Sequence, residues 1–350
     1  MVTMEKLKIG VIGMGGIANY HIWGIENSPD AELFAICDVN AKALEERGEA
    51  LGIPQERRYL RHEELLANKE VDAVMIGTPN NNHFAVALDA IRAAKPFALE
   101  KPIALNMREA LALREELADK PVPHIVCFSY RYRSAARYAR ELIQSGKLGT
   151  IRHVYSQYLQ GWAIPEDVPL YWRFSKELSG SGALGDLGSH ILDLHRFLVG
   201  ETTSVVGHGD TIVRERSLPD GSGKGEVDVD DFCHVLGRME NGISSSMEIS
   251  RFAYGRGNYQ RIEIYGSKGS LVYSLEAEDT LEGNFDDEEG GFRFLDIPEL
   301  HKAEQMQSFF DLVRGKDDGL NATIEDGYMN QRTIDAIIES FAEGRWVSAE

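Results

Sequence analysis

The sequence predicts a chain of two α/β-type parts: a doubly wound parallel α/β domain, then an α+β domain with a large, mostly antiparallel, open-faced sheet. Three observations carry this. At 350 residues the chain exceeds the size at which one hydrophobic core usually stops growing. Up to residue 128, short apolar runs alternate with helix-length segments. Beyond about residue 150, strand-like runs follow one another through tight turns.

The apolar runs of the first part are Lys8 to Ile12, Leu33 to Cys37, Val71 to Ile76, Pro96 to Leu99 and His124 to Phe128. Each is short and continuous enough to be a strand buried on both faces. Phe84 to Ala94 and Met107 to Ala118 read as helices between them. In the second part a long helical pattern, Ala183 to Val199, precedes strand-like runs at 205–213, 226–239, 242–252, 259–265 and 269–275. Asn241-Gly242 and Gly266-Ser267-Lys268-Gly269 mark turns, which implies antiparallel pairing. Two helical patterns, 302–314 and 323–342, close the chain. With no repeat or linker, the expected division is 1–128 and 129–350, and a ligand cleft is expected where the two domains meet.

Composition narrows the partners. The chain holds 37 Lys plus Arg against 56 Asp plus Glu, and a net charge of -19 repels nucleic-acid phosphates and anionic lipid surfaces. Neither nucleic acid nor membrane is an expected partner. The acidic run Asp286 to Glu289 reads as a solvated loop. Met1 to Lys8 lacks the apolar stretch of a leader, and nowhere do 18 apolar residues run together. The expectation is a cytoplasmic protein. Cys37, Cys127 and Cys233 lie far apart in apolar segments and read as core thiols.

The segment from Ile9 to Ala18 carries G-x-G-x-x-A directly after the first strand and at the opening of a helix. In a dinucleotide-binding Rossmann domain, Gly13 would permit the tight turn and Gly15 the approach of backbone amides to a pyrophosphate. Gly16 and Ile17 would lead into the helix N-terminus, and the small Ala18 would let helix and strand pack closely. Asp38 ends the second strand, where a carboxylate bonds the adenosine ribose and repels the 2′-phosphate of NADP. Val39 and Asn40 supply no arginine to offset it. The cofactor read from these residues is NAD; the alternative for Asp38 is a turn or helix-capping aspartate.

Phe97-Ala98-Leu99-Glu100-Lys101-Pro102 runs a strand straight into an acid, a base and a proline, at the end of the sheet where ligands bind. Together with Thr78-Pro79-Asn80-Asn81-Asn82-His83, it resembles the Gfo/Idh/MocA family, the glucose-fructose oxidoreductase and inositol dehydrogenase group. The run from Gly180 to Asp193 resembles that family's D-x-G-x-H segment, with Trp172-Arg173 before it and Arg131 at a matching arginine. Ser129 and Ser134 stand where the family often has Asn and Pro. The resemblance implies that Lys101, Asp186 and His190 are catalytic. It also implies that Thr78, Pro79, Asn80, His83, Glu100 and Lys101 serve the cofactor, with Arg131, Trp172 and Arg173. Tyr158 and Arg173 would join the catalytic three at the substrate.

The residues support part of this on their own. Asp186 and His190 are one helical turn apart, and Leu187, Ile191, Leu194 and Leu198 form an apolar stripe that would anchor their helix. Gly182, Gly185 and Gly188 crowd its start, each costing about 1 kcal/mol relative to Ala, so something must approach that backbone closely. The alternative is a surface Asp/His pair. His83 is either near the cofactor or a helix-terminal histidine with its own partners. His195, His208 and His234 read as structural. Trp162, Tyr158 and Trp172 either stack on a sugar or belong to the core. No set of His, Cys and carboxylates has metal-ligand spacing, so no metal is expected.

The expected activity is NAD-dependent oxidation of a secondary alcohol of a sugar or cyclic polyol (an inositol, aldose or anhydrosugar) to the ketone or lactone. The base is His190 or Lys101; the sequence leaves both open. The rivals are an NAD-dependent glycosidase or epimerase with transient oxidation, and a non-catalytic cofactor-sensing regulator. An open second sheet would pair with a copy of itself, giving a homodimer or homotetramer.

Overall fold

The computed structural model describes residues 5–350. Its residues divide into two compact units. One holds the chain up to Phe128 together with Ala303–Tyr328; the other holds Ser129–Lys302 and Met329–Glu350.

The first unit is a six-stranded sheet of β1 (Leu7–Ile12), β2 (Ala31–Cys37), β3 (Arg58–Tyr59), β4 (Ala73–Ile76), β5 (Phe97–Leu99) and β6 (His124–Val126). Their order is β3-β2-β1-β4-β5-β6, with every pair parallel. This is the doubly wound topology, and its strand order reverses between β1 and β4, the place where such sheets bind ligands. The apolar runs read from the sequence are these strands because helices cover both faces. One buried cluster gathers Phe34, Val74, Phe97 and Leu113; the other gathers Ile9, Val11, Met75 and Ile125. Strand β3 escaped sequence reading because two residues show no period.

The expected boundary needs one correction. Residues 303–328, assigned from sequence to the second domain, belong to the first unit. Met306, Phe309 and Phe310, all 0% exposed, fill the cluster around Ile9 and Ile125, and Ala322 and Ile324 fill the other. Each of the Met, Phe and Ile side chains contributes about 1.5–3 kcal/mol on burial, which fastens this returning segment to the sheet. Gly24 makes room for it: a Cβ there would stand 2.5 Å from Met306 Cγ. Amphipathic spacing revealed the helix Gln305–Val313 but not the sheet it would cover.

The second unit is a nine-stranded sheet. Its strands are β7 (Ile151–Leu159), β8 (Thr202–Asp210), β11 (Phe232–Met239), β12 (Ser244–Ser250), β13 (Tyr259–Gly266), β14 (Gly269–Leu275), β15 (Asp279–Phe285), β16 (Arg293–Phe294) and β17 (Val347–Ser348). The intervening β9 (Glu215–Ser217) and β10 (Lys224–Glu226) form a separate hairpin. The order is β16-β15-β14-β13-β7-β12-β11-β8-β17. All pairs are antiparallel except β7 with β12, as the mostly antiparallel reading requires. Asn241 and Gly242 take φ of 59° and 75°, the paired positive values that a tight hairpin turn needs. Sequence reading missed β7 and β15 and the short β9, β16 and β17. β7 pairs with both β13 and β12, yet Arg152, His153, Ser156 and Gln157 dilute its apolar signal.

The helical pattern 183–199 is a single π-type turn, Leu184–Gly188, running into the α-helix Ser189–Leu198. Leu187, Ile191, Leu194 and Leu198 are buried as the stripe predicted. Half-buried Asp230 caps its start: Gly182 N–H donates to Oδ1 and Leu184 N–H to Oδ2, each at 2.7 Å. A Cβ on Gly182 would lie 1.8 Å from the Asp230 carbonyl oxygen. What approaches the glycine-rich backbone at Gly182 is therefore the protein's own chain.

Candidate active site

In the first unit, Gly13 turns the chain at φ +93°, and a Cβ there would stand 2.6 Å from the Gly77 carbonyl oxygen. Only glycine fits. Cβ atoms on Gly15 and Gly16 would meet nothing within 4 Å, so the loop leaves open space beside the start of the helix Ala18–Glu26. Ala18 is fully buried, as close helix packing requires. Asp38 accepts from Met14 N–H and Asn40 N–H, both at 2.8 Å, which ties the end of β2 to the glycine loop. Asn40, not Asp38, caps the following helix, Ala41–Ala50. Thr78 follows β4, and its buried Oγ1 has no hydrogen-bond partner among the described residues. An open cradle of backbone amides, a carboxylate at the end of β2 and an orphaned hydroxyl fit a dinucleotide.

Pro79 is exposed and Asn80 is buried at the first turn of the helix Asn80–Arg92. His83 is 1% exposed; its Nδ1 lies 2.6 Å from Pro102 O and its Nε2 2.9 Å from Thr78 O. It is a strut between the Lys101-Pro102 turn and the β4 loop. Burial pushes the His83 ring below its usual range, against the pull of the two carbonyls and the Glu100 charge. Lys101 is half-buried at the end of β5, before a cis peptide to Pro102. Glu100 accepts from His21 at 3.0 Å.

In the second unit, Asp186 lies within the π-type turn, whose Ser189 N–H reaches back to Leu184 O. Such turns widen a helix by one residue and recur at functional sites. Arg173 Nε lies 3.7 Å from the Asp186 carboxylate, and its guanidinium rests over the Trp172 ring at 4.2 Å. His190, 8% exposed, meets Tyr130 edge-on at 4.7 Å between ring centres. Behind it, the Tyr130 and Tyr158 hydroxyls lie 2.8 Å apart, and Tyr158 donates to Asn258 Oδ1 at 2.7 Å. Gln160 adds a bond to the same oxygen at 3.0 Å. Burial drives the Tyr158 phenol well above its ordinary range, so it stays a protonated donor. The second unit thus holds Asp186, His190, Arg173 and Tyr158 in one neighbourhood.

Arg131, assigned to the cofactor by resemblance, binds Asp193: Nε donates to both carboxylate oxygens at 2.8 and 2.9 Å, and Nη2 donates at 2.6 Å. The two side chains are 5% and 1% exposed. Removing one partner strands a buried charge, so Asp193→Ala should cost about 3–5 kcal/mol, read as a large fall in thermal midpoint. An unchanged midpoint would refute the ion pair. Trp162 is half-buried and packs against the small cluster of Phe174, Val227 and Val229. His195 lies 3.0 Å from Ser156 Oγ, and burial lowers it to about 4. His208 and His234 flank Phe232 on the sheet.

Sequence reading missed Asp230, Tyr130, Asn258 and His21. Each acts through partners 28 or more residues away, so no local pattern marks it. The fold also gathers His21, Glu100 and Cys127, and separately His62, Glu63 and Asp89, with donor atoms within 4.8 Å of one another. In each set a histidine already bonds a carboxylate at 3.0 Å.

The family model described as an oxidoreductase family with an NAD-binding Rossmann fold matches residues 7–128, and the model of the GFO/IDH/MocA C-terminal domain matches residues 136–272. The chain is 31% identical to a levoglucosan dehydrogenase of Pseudarthrobacter phenanthrenivorans over 98% of both proteins. It is 29% identical to a myo-inositol 2-dehydrogenase of Thermotoga maritima over 83% of this chain and 81% of that one. Among solved structures, a levoglucosan dehydrogenase in complex with NADH superposes with a TM-score of 0.91 at 32% identity, covering 99% of this chain and 100% of the other. The complex with NADH and levoglucosan gives 0.90 at 30%, with the same coverage.

Proposed function

The chain belongs to the GFO/IDH/MocA oxidoreductase family, and from that premise we propose that it is an NAD-dependent dehydrogenase oxidising a secondary alcohol of a sugar or cyclic polyol. The observation that carries the reading is that His190 follows Asp186 by four residues, from a π-type turn into the first turn of the helix, at a helix start capped by Asp230. The glycine loop and Asp38 would hold NAD, which would supply the hydride acceptor for the carbinol carbon. His190 takes the hydroxyl proton, and Asp186 stabilises the resulting imidazolium. Lys101 donates a hydrogen bond to the oxygen as it becomes a carbonyl. Tyr130 supports the His190 ring from its edge, so the base is held in place before substrate arrives.

Relatives named for levoglucosan and inositol support a cyclic substrate rich in hydroxyls, an anhydrosugar or an inositol first. Arg173 supplies donors for further hydroxyls, while Tyr158, whose hydroxyl donates to Asn258, backs the His190 ring. Among the described residues no helix is long and apolar enough to cross a membrane. Three buried, unpaired thiols suit a reducing cytoplasm. One face of the nine-stranded sheet exposes Tyr155 at 47% and Leu236 at 57%, which supports pairing with a second copy into a dimer or tetramer.

Cofactor choice tests the first unit separately. The wild type should use NAD at least about tenfold better than NADP by kcat/KM, and Asp38→Ala should narrow the gap. Equal use of both by the wild type would remove the role given to Asp38.

A further inference from the structure

In the second unit, residues 160–171 run without helix or strand from the end of β7 to the short turn Trp172–Phe174, which carries Arg173. Ordering such a segment costs chain entropy, so something must hold it. The β9–β10 hairpin, which stands outside the nine-stranded sheet, does so. Arg216 of β9 is 1% exposed, and its hydrogen bonds go to backbone carbonyls of this one segment. Its Nη1 donates to Pro165 O at 3.0 Å and Val168 O at 3.2 Å, and its Nη2 donates to Ala163 O at 2.5 Å. A planar guanidinium reaches several acceptors in fixed directions, which a lysine ammonium cannot reproduce.

Three further contacts tie the same chain to the hairpin. Leu170 N–H donates to Ser217 O of β9 at 2.7 Å. A Cβ on Gly225 of β10 would stand 2.5 Å from Leu170 Cδ2, so the two pack without space for a larger residue. Phe174, fully buried, lies between two guanidiniums, with Arg216 4.5 Å and Arg251 4.8 Å from its ring centre. Arg251 in turn reaches the Arg173 carbonyl at 3.4 Å and donates from Nε to Asp231 at 2.9 Å. The other Asp231 oxygen accepts from Ile212 and Val213 N–H, where the chain enters the hairpin. Arg173 is thus held at its backbone from one side and by the segment before it from the other.

We propose that the β9–β10 hairpin sets substrate affinity: Arg216 is a positioning residue that holds segment 160–171. Through it, Arg216 keeps the Arg173 guanidinium over Trp172 and beside Asp186, ready for a hydroxyl of the sugar or polyol that does not react. This rests on the reading of Arg173 as a donor to substrate hydroxyls. Such a contact is equal in the ground and transition states, so its loss raises KM rather than lowering kcat.

Hydrogen exchange and kinetics on the full-length enzyme test the two links separately. Arg216→Leu should speed amide exchange in peptides covering 160–173 by about tenfold or more, with peptides of β1 and β4 unchanged. With the best oxidised of levoglucosan, myo-inositol and the aldoses, its KM should rise about tenfold, the scale of one hydrogen bond from a charged donor, and kcat should change less than about threefold. Arg216→Lys should fall between Arg216→Leu and wild type. On the Arg173→Ala background Arg216→Leu should add less than about twofold to KM, because it acts through Arg173. If Arg216→Leu fails to fold, Gly225→Val carries the test, since it keeps Arg216 and displaces Leu170. Unchanged exchange at 160–173 in the folded variants overturns the hold of the hairpin on the segment. Faster exchange with an unmoved KM, or an undiminished rise in KM on the Arg173→Ala background, overturns the affinity role. An unmoved KM in Arg173→Ala itself, or silence of the wild type across the set, overturns instead the reading on which that role rests, and the exchange result still decides the hold of Arg216.

Discussion

His190→Ala is expected to lower kcat by about 100-fold or more while the Kd for NADH changes by less than about threefold. The ring is nearly buried and held edge-on by Tyr130, whose hydroxyl is itself bonded to Tyr158 and Asn258. Truncation removes the proton acceptor while that surrounding network remains. The glycine loop and Asp38 lie on other elements, so cofactor binding has no reason to fall with it. Asp186→Asn should be milder, because the amide can still accept a hydrogen bond and orient the imidazole. Near-normal turnover in His190→Ala would remove histidine as the base and leave Lys101.

Lys101→Ala should lose activity on a similar scale, with the loss in kcat rather than in NADH affinity. The sharper result is the double variant. If His190 and Lys101 serve the same oxygen in the same transition state, removing both should cost much less than the product of the two single losses, as groups acting as a unit do. Strictly multiplicative losses would mean that the two contribute to separate steps, and the joint role would have to be abandoned.

Much of the fold was legible because its signals are local. The buried strands β1, β2, β4, β5 and β6 announce themselves as apolar runs, and the glycine loop and Asp38 lie within 26 residues of each other. The helix bearing Asp186 and His190 was visible from its apolar stripe. What stayed hidden depends on partners distant in sequence. The return of 303–328 to the first sheet rests on Met306 and Phe310 finding a cluster built by β1 and β6. The ion pair of Arg131 with Asp193 spans 62 residues, so the resemblance placed the arginine without its partner. His83 showed its residue type and place but not the two carbonyls that occupy its ring. The π-type turn is invisible to spacing, and the residue that bonds its start, Asp230, lies far along the chain.

The central claim is net transfer of hydride from a carbinol to NAD, and the most direct measurement follows NADH and product together. Levoglucosan, myo-inositol and a set of aldoses are each incubated with the enzyme and NAD. NADH absorbance is then compared with the product mass. The account predicts that at least one of them yields NADH in a 1:1 ratio with a product two hydrogens lighter, its ring bonds intact. Cleavage of a glycosidic bond or inversion of a carbinol without accumulation of NADH would contradict it, and so would silence across the whole set with NAD bound.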